Sequence, residues 1–282
     1  MVRPWHLTAL ALLGLGVWVV PAQTVVASPT SLVFGQFPGP EGPITTEWQL
    51  PDGEPRGWVL LQHGFARQCA NLRSTARRLA QSGLATLCLQ ADMAEGAPAL
   101  AKAVAHALQV GGDRAPLRPP GSTGAGQPWV LAGHSAGALF AARVAQALAH
   151  SAPERVAGLI MLDPVGGSSL SDALAAVVTQ GRLPVRALLA PPSRCNGQQM
   201  ALPALLRAQA VSPPGRVSLQ FPAEASHLDA EGEDTERLAV WMCGEGWPDA
   251  TCTEDLRTSL LTWVGEVTSS PPAGLSRPAP RP

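Results

Sequence analysis

The chain has 282 residues, enough for one large α/β domain that buries most of its apolar surface without a second domain. Its 20 basic and 21 acidic residues nearly cancel and form no basic cluster or stripe, which excludes the electrostatic footprint of a nucleic-acid binder. None of the cysteine spacings is that of a zinc site, so neither a metal nor a cofactor is expected.

Residues 1–27 have the three parts of an export signal. Arg3 is basic, the run from Leu7 to Val20 is mostly apolar, and small residues follow Pro21. Val25 and Ala27 suit a small-residue cleavage rule that leaves Ser28 first. The apolar run is shorter than the ~20 residues that span a bilayer, so a secreted or periplasmic protein without stable membrane insertion is expected, with a retained N-terminal membrane anchor as the alternative. Residues 28–43, rich in proline, glycine and serine, read as an extended N-terminal arm.

The folded domain is assigned to residues 44–267. Ile44 to Leu50 reads as a strand, Pro51 to Gly53 as a turn, and GWVLLQ (57–62) as a central strand covered on both faces. A helix over 70–81, a strand over 84–89 and a helix over 97–109 follow, then a glycine- and proline-rich surface loop over 110–127. A strand from Trp129 leads through a turn into an alanine-rich helix reaching His150. The strand VAGLIML (156–162) ends at Asp163. Beyond it come a helix over 171–180, a strand over 184–190, a helix over 198–210 and a last strand over 217–221. Two helices close the domain, over 234–242 and 252–267, the second with Thr251 and Glu254 at capping-box spacing. The tail, 268–282, is dominated by proline and reads as disordered. Strands alternating with helices imply a mostly parallel sheet with helices on both faces, and ligands at the carboxyl ends of its strands.

Five cysteines in an exported chain leave at least one unpaired. Cys88 lies within an apolar strand and reads as a small buried hydrophobe. Among Cys195, Cys243 and Cys252, the pair Cys243 and Cys252 closes the shorter loop and is the pairing expected, although spacing alone does not fix connectivity.

The stretch WVLAGHSAGALFAARV (129–144) carries Gly133, His134, Ser135, Ala136 and Gly137 in a G-x-S-x-G pattern between a strand and a helix, the context of a nucleophile elbow. A serine hydroxyl is a weak nucleophile. It needs exposure on a sharp turn, a nearby base, and donors for the oxyanion that forms on attack at a carbonyl. His227 follows the last strand and is the candidate base, because the other five histidines fall elsewhere: His6 in the export signal, His106 and His150 in or at the ends of helices, His134 inside the motif, and His63 before a turn. Asp163 directly ends a strong strand and is the candidate acid orienting His227, with Asp229 and Glu231 as the alternatives nearest in sequence. The order Ser135, Asp163, His227 is that of α/β-hydrolases. His63, Gly64 and Phe65 occupy the loop after the central strand, so the backbone N–H groups of Phe65 and Ala136 are the candidate oxyanion donors.

On LQHGF (61–65), AGHSAG (132–137), LDPVGG (162–167) and ASHLD (225–229), the sequence from Pro43 to Val267 resembles the chlorophyllase-like branch of the α/β-hydrolases, which includes bacterial secreted esterases. The resemblance implies an α/β-hydrolase fold and an acid in the LDP element. Many other α/β-hydrolases carry the acid after the next strand, which here runs into APPSRCNG and offers no carboxylate. The elbow departs from the GHSRGG of chlorophyllases, with Ala136 and Ala138 in its place. Only a short segment (164–183) stands where many relatives insert a lid, which implies an open site for soluble or moderately bulky esters. The function expected is that of an exported serine carboxylic-ester hydrolase working through an acyl-enzyme on a small-molecule ester. An acyltransferase using the same intermediate and an inactive binding protein on the same scaffold are the alternatives.

Overall fold

Along the central strands, successive side chains point to opposite faces of a sheet, and both faces are apolar. A computed structural model describes residues 29–110, 116–123 and 127–269. It contains one eight-stranded sheet in the order β1-β2-β4-β3-β5-β6-β7-β8. The strands are β1 (Thr30–Gly39), β2 (Gly42–Pro51), β3 (Gly57–Gln62), β4 (Leu84–Leu89), β5 (Trp129–His134), β6 (Val156–Leu162), β7 (Val185–Leu188) and β8 (Val217–Gln220). β1 pairs antiparallel with β2 and β2 antiparallel with β4, while all pairings from β4 to β8 are parallel.

Helices cover both faces, as parallel crossovers require. Leu60, Leu131, Leu159 and Met161 point to one side, where α2 (Pro98–Gln109), α3 (Ala136–Ser151), α4 (Ser168–Thr179) and α5 (Leu202–Val211) pack. Val59, Leu61, Val130, Ala132, Ile160 and Leu162 point to the other, against α1 (Arg73–Gln81) and α7 (Ala250–Ser269). A short helix, α6 (Arg237–Cys243), lies outside these two layers and packs its buried Cys243 and Ala239 with Leu228. No helix among the described residues is long and apolar enough to cross a membrane.

The structure departs from the sequence reading in several places. Residues 30–39, read as an extended arm, form the edge strand β1, paired with β2 along its whole length from Thr30↔Pro51 to Gly39↔Gly42. α4 begins at Ser168, three residues earlier than read, and β7 is shorter than read at both ends. α7 starts before Thr251: the carboxylate of Asp249, rather than Thr251, accepts from the first-turn N–H groups of Thr251 (2.8 Å) and Cys252 (3.0 Å). α7 also runs to Ser269, past the expected start of the tail. The export signal (1–27), the tail from 270 onward, and parts of the 110–127 loop lie outside the described residues.

The cysteine pairing is corrected too. Cys69 joins Cys88 and Cys195 joins Cys243, leaving Cys252 as the free thiol. Cys88 is buried as expected, but as half of a disulfide. Its partner arrives on a 3-10 turn (Cys69–Leu72) between β3 and α1, a packing contact that spacing does not announce.

Candidate active site

β5 ends where the chain must reverse sharply into α3, and Ser135 sits at that reversal with φ 56° and ψ −125°. This is backbone territory that non-glycine residues rarely occupy, costing about 1–3 kcal/mol that the surroundings must outweigh. They do so by hydrogen bonding: the Ser135 N–H donates to Leu162 O (3.1 Å), and its carbonyl accepts from Ala138 N–H (3.1 Å) and Val165 N–H (3.2 Å). The flanking glycines permit close approach. A Cβ on Gly133 would lie 2.2 Å from Gly137 O, and one on Gly137 would lie 2.3 Å from the carbonyl oxygens of both Gln62 and His63. α3 therefore rests its first turn on the ends of β3 and β5. Ala136 opens that turn, so its N–H belongs to the set a helix leaves without an intrahelical acceptor.

Asp163 follows β6 with φ 41°, its N–H donating to Leu188 O (2.7 Å). The carboxylate is buried, and its contacts are all donors. Oδ1 accepts from the Ala190 N–H (3.0 Å), and Oδ2 accepts from Asn196 Nδ2 (3.1 Å) and His227 Nδ1 (2.6 Å). A carboxylate at Nδ1 fixes the imidazole proton there and leaves Nε2 as the proton-accepting nitrogen. His227 itself lies on a 3-10 turn (His227–Ala230). Its N–H donates to Glu245 Oε2 (2.9 Å) and its carbonyl accepts from His134 Nε2 (2.8 Å). The rings of His134 and His227 lie 4.5 Å apart between centroids, and His134 is the residue before Ser135. Burial, with the charge of His227 second, drives the His134 pKa well below the usual histidine value, so this ring is a neutral spacer.

The loop after β3 passes directly over Ser135. A Cβ at Gly64 would stand 2.9 Å from Ser135 Cβ and 3.3 Å from its Oγ, so no larger residue fits there. Phe65, next in the chain, is 57% exposed, and Ala66 has φ 54°. His63 points inward, with Nδ1–H donating to Gly64 O (2.9 Å), and burial lowers its pKa. Arg67 then crosses to the His227 segment and grips Glu231 with two bonds, Nε to Oε1 (2.7 Å) and a terminal nitrogen to Oε2 (2.5 Å). Burial pushes the Glu231 carboxyl upward while Arg67 pulls it the other way.

The structure thus gathers Ser135, Asp163 and His227, with the Gly64–Phe65 loop, at one end of β3, β5 and β6. It directs the alternative acids elsewhere. Asp229 accepts from the Ser226 N–H (2.6 Å) and the Asp249 N–H (3.2 Å), and Glu231 is taken by Arg67. Sequence reasoning missed Asn196, Glu245 and Arg67, whose roles depend on chain segments far apart in sequence. Three potential metal ligands do cluster, His63 with Cys69 and Cys88, but the two sulfurs are joined to each other and are not thiolates.

No family model matches the sequence, and no curated protein matches it either. Solved structures do match in fold. A dienelactone hydrolase from Anabaena variabilis is 17% identical, with a TM-score of 0.58 over 84% of this chain and 98% of that one. A hyperthermophilic esterase from the archaeon Pyrobaculum calidifontis is 14% identical, with a TM-score of 0.61 over 86% of each chain. A dienelactone hydrolase-like promiscuous phosphotriesterase from metagenomic libraries is 14% identical, with a TM-score of 0.58 over 84% of this chain and 98% of that one. The chain has the α/β-hydrolase fold.

Proposed function

We propose that this chain is a serine carboxylic-ester hydrolase, and the 2.6 Å bond from His227 to Asp163 beside the strained turn at Ser135 is the observation that carries the reading. His227 Nε2 takes the hydroxyl proton of Ser135 as Oγ bonds to the ester carbonyl carbon, and Asp163 stabilises the imidazolium so formed. The carbonyl oxygen becomes an oxyanion and accepts from the N–H groups of Phe65 and Ala136. Collapse breaks the bond to the alcohol, which leaves with the proton held on His227. Water then repeats the sequence on the acyl-enzyme, releasing the acid and returning the proton to Ser135. The structural neighbours named as esterase, dienelactone hydrolase and phosphotriesterase support hydrolytic chemistry on this fold.

The acid at the end of β6 favours the chlorophyllase-like branch over relatives that carry it one strand later. Only α4 fills the segment between β6 and β7, which favours an open site and soluble or moderately bulky esters. Two disulfides fit an oxidising compartment, in keeping with export and with a mature chain beginning near Ser28. Hydrolysis of a panel of aryl and alkyl esters, beside fluorophosphonate labelling of the parent and Ser135→Ala, tests the reading. A parent that neither turns over any ester nor takes the label would end it, and transfer of the acyl group to added alcohols in preference to water would make the enzyme a transferase.

A further inference from the structure

In the loop after β7, where many hydrolases of this fold carry their acid, this chain has Asn196, 0% exposed. The orientation of its amide is dictated by its neighbours. The side-chain oxygen accepts from the N–H groups of Ser193 (2.8 Å) and Gln199 (2.9 Å), so the nitrogen must face the other way. There its two hydrogens meet Pro191 O (2.8 Å) and Asp163 Oδ2 (3.1 Å), the same carboxylate oxygen that accepts from His227. The loop carrying it is held in an unusual shape, with Gly197, Gln198 and Gln199 successively at φ 58°, 57° and 59°. The preceding residue, Cys195, is bonded to Cys243 at the end of α6, and Arg194 donates to Met242 O (3.4 Å). Two residues past Cys243, Glu245 receives the His227 N–H. A closed circuit of contacts thus runs from Asp163 through Asn196, the disulfide and Glu245 back to His227.

We propose that Asn196 is a positioning residue for the Asp163–His227 pair, kept in place by the Cys195–Cys243 disulfide. The catalytic part of this inference rests on the serine-hydrolase reading above. A donor on Oδ2 fixes where that oxygen sits and draws off part of its negative charge. Without the donor, Asp163 orients the ring less well yet attracts a proton on it more strongly. The histidine is then held less firmly in the orientation that receives the Ser135 proton.

The test compares the full mature chain with Asn196→Ser, Asn196→Ala and the double variant Cys195→Ser/Cys243→Ser. Serine keeps an acceptor for the loop N–H groups but is too short to reach Asp163; alanine removes both functions; the cysteine pair loosens the loop while leaving Asn196 intact. The readouts are the titration of the His227 ring by NMR, kcat and KM on an aryl ester against pH, and the melting temperature. In folded Asn196→Ser the ring titration should move to higher pH. The acid limb of kcat/KM should move with it, and kcat should fall about tenfold with KM nearly unchanged. The cysteine variant should shift both in the same direction by less. A lowered melting temperature with titration and acid limb both at their parental positions would reduce Asn196 to a loop brace and overturn the proposal. Cysteine variants identical to the parent in both readouts would overturn the disulfide's part. Should the parent hydrolyse no ester, the serine-hydrolase reading fails, while the NMR titration still decides whether Asn196 acts on His227.

Discussion

Replacing Asp163 with asparagine keeps the size of the side chain but removes an acceptor from a site where every partner is a donor: the Ala190 N–H at 3.0 Å, Asn196 Nδ2 at 3.1 Å and His227 Nδ1 at 2.6 Å. An amide has one oxygen. Turned toward His227 and Asn196, it leaves the Ala190 N–H facing an NH2 group; turned toward Ala190, it leaves two donors opposed and pushes His227 into the tautomer that cannot act as base. The first orientation strands fewer groups and should prevail, at about 1–3 kcal/mol for one buried unmatched donor. At roughly 2–4 °C per kcal/mol for a domain of this size, the melting temperature should fall by several degrees. The imidazolium also loses its counter-charge, an effect of up to roughly 10⁴ in kcat in the protease triad. A loss of 10²- to 10⁴-fold, about 3–5 kcal/mol, is expected here. Asp229→Asn is the control, since Asp229 too is buried and accepts on both carboxylate oxygens, from the backbone N–H groups of Ser226 and Asp249, yet not from the imidazole. It should lose comparable stability with kcat within about threefold of the parent. Kinetics on an aryl ester with melting curves on all three proteins decide the matter. Folded Asp163→Asn with kcat within tenfold of the parent, or Asp229→Asn falling as far, would refute the assignment.

Ser135→Ala should lose ester turnover by several orders of magnitude and lose fluorophosphonate labelling, while Ser135→Gly, free of the side-chain strain at φ 56°, should melt higher than the alanine variant. Comparable turnover in purified Ser135→Ala would contradict the nucleophile, and a glycine variant melting below the alanine one would contradict the strain. Gly137→Ala places a Cβ 2.3 Å from two carbonyl oxygens and should yield little folded protein, so a soluble variant with parental melting temperature would refute the close contact. His63 and His134 are held below the ordinary histidine value mainly by burial. The unfolded chain therefore gains protons on these rings as pH falls through about 6.5 more readily than the folded one, and stability drops by up to about 1.4 kcal/mol per pH unit for each ring. The melting temperature should decline from pH 7.5 to 5.5, and less steeply in His134→Gln; a flat or rising profile would show that the rings titrate normally.

The central strands were readable because a doubly covered strand must be continuously apolar, as in GWVLLQ and VAGLIML, and because only glycine fits where α3 meets β3. β1 was not, since a proline- and glycine-flanked segment with largely exposed side chains becomes a strand through pairing with β2 and not through its own pattern. Burial of Cys88 was legible; its bond to Cys69 was not, because the two sulfurs meet only once the turn after β3 packs against β4. The bond between Asp163 and His227 could be anticipated from strand ends. Asn196 could not, since nothing in SRCNG distinguishes an amide that turns inward from one that faces solvent.

At the first turn of α3 the closest contacts with the sheet are between main-chain atoms, Gly137 against the carbonyls of Gln62 and His63, and Gly133 against Gly137. The height of α3 above the ends of β3 and β5, and with it the turn that carries Ser135, is therefore set by the radii of backbone atoms. Side chains farther along α3, such as Phe140 and Val144, can be exchanged and repacked with the cost confined to stability. An engineer seeking a sturdier variant has the whole underside of this helix to redesign, provided the two glycines stay as they are.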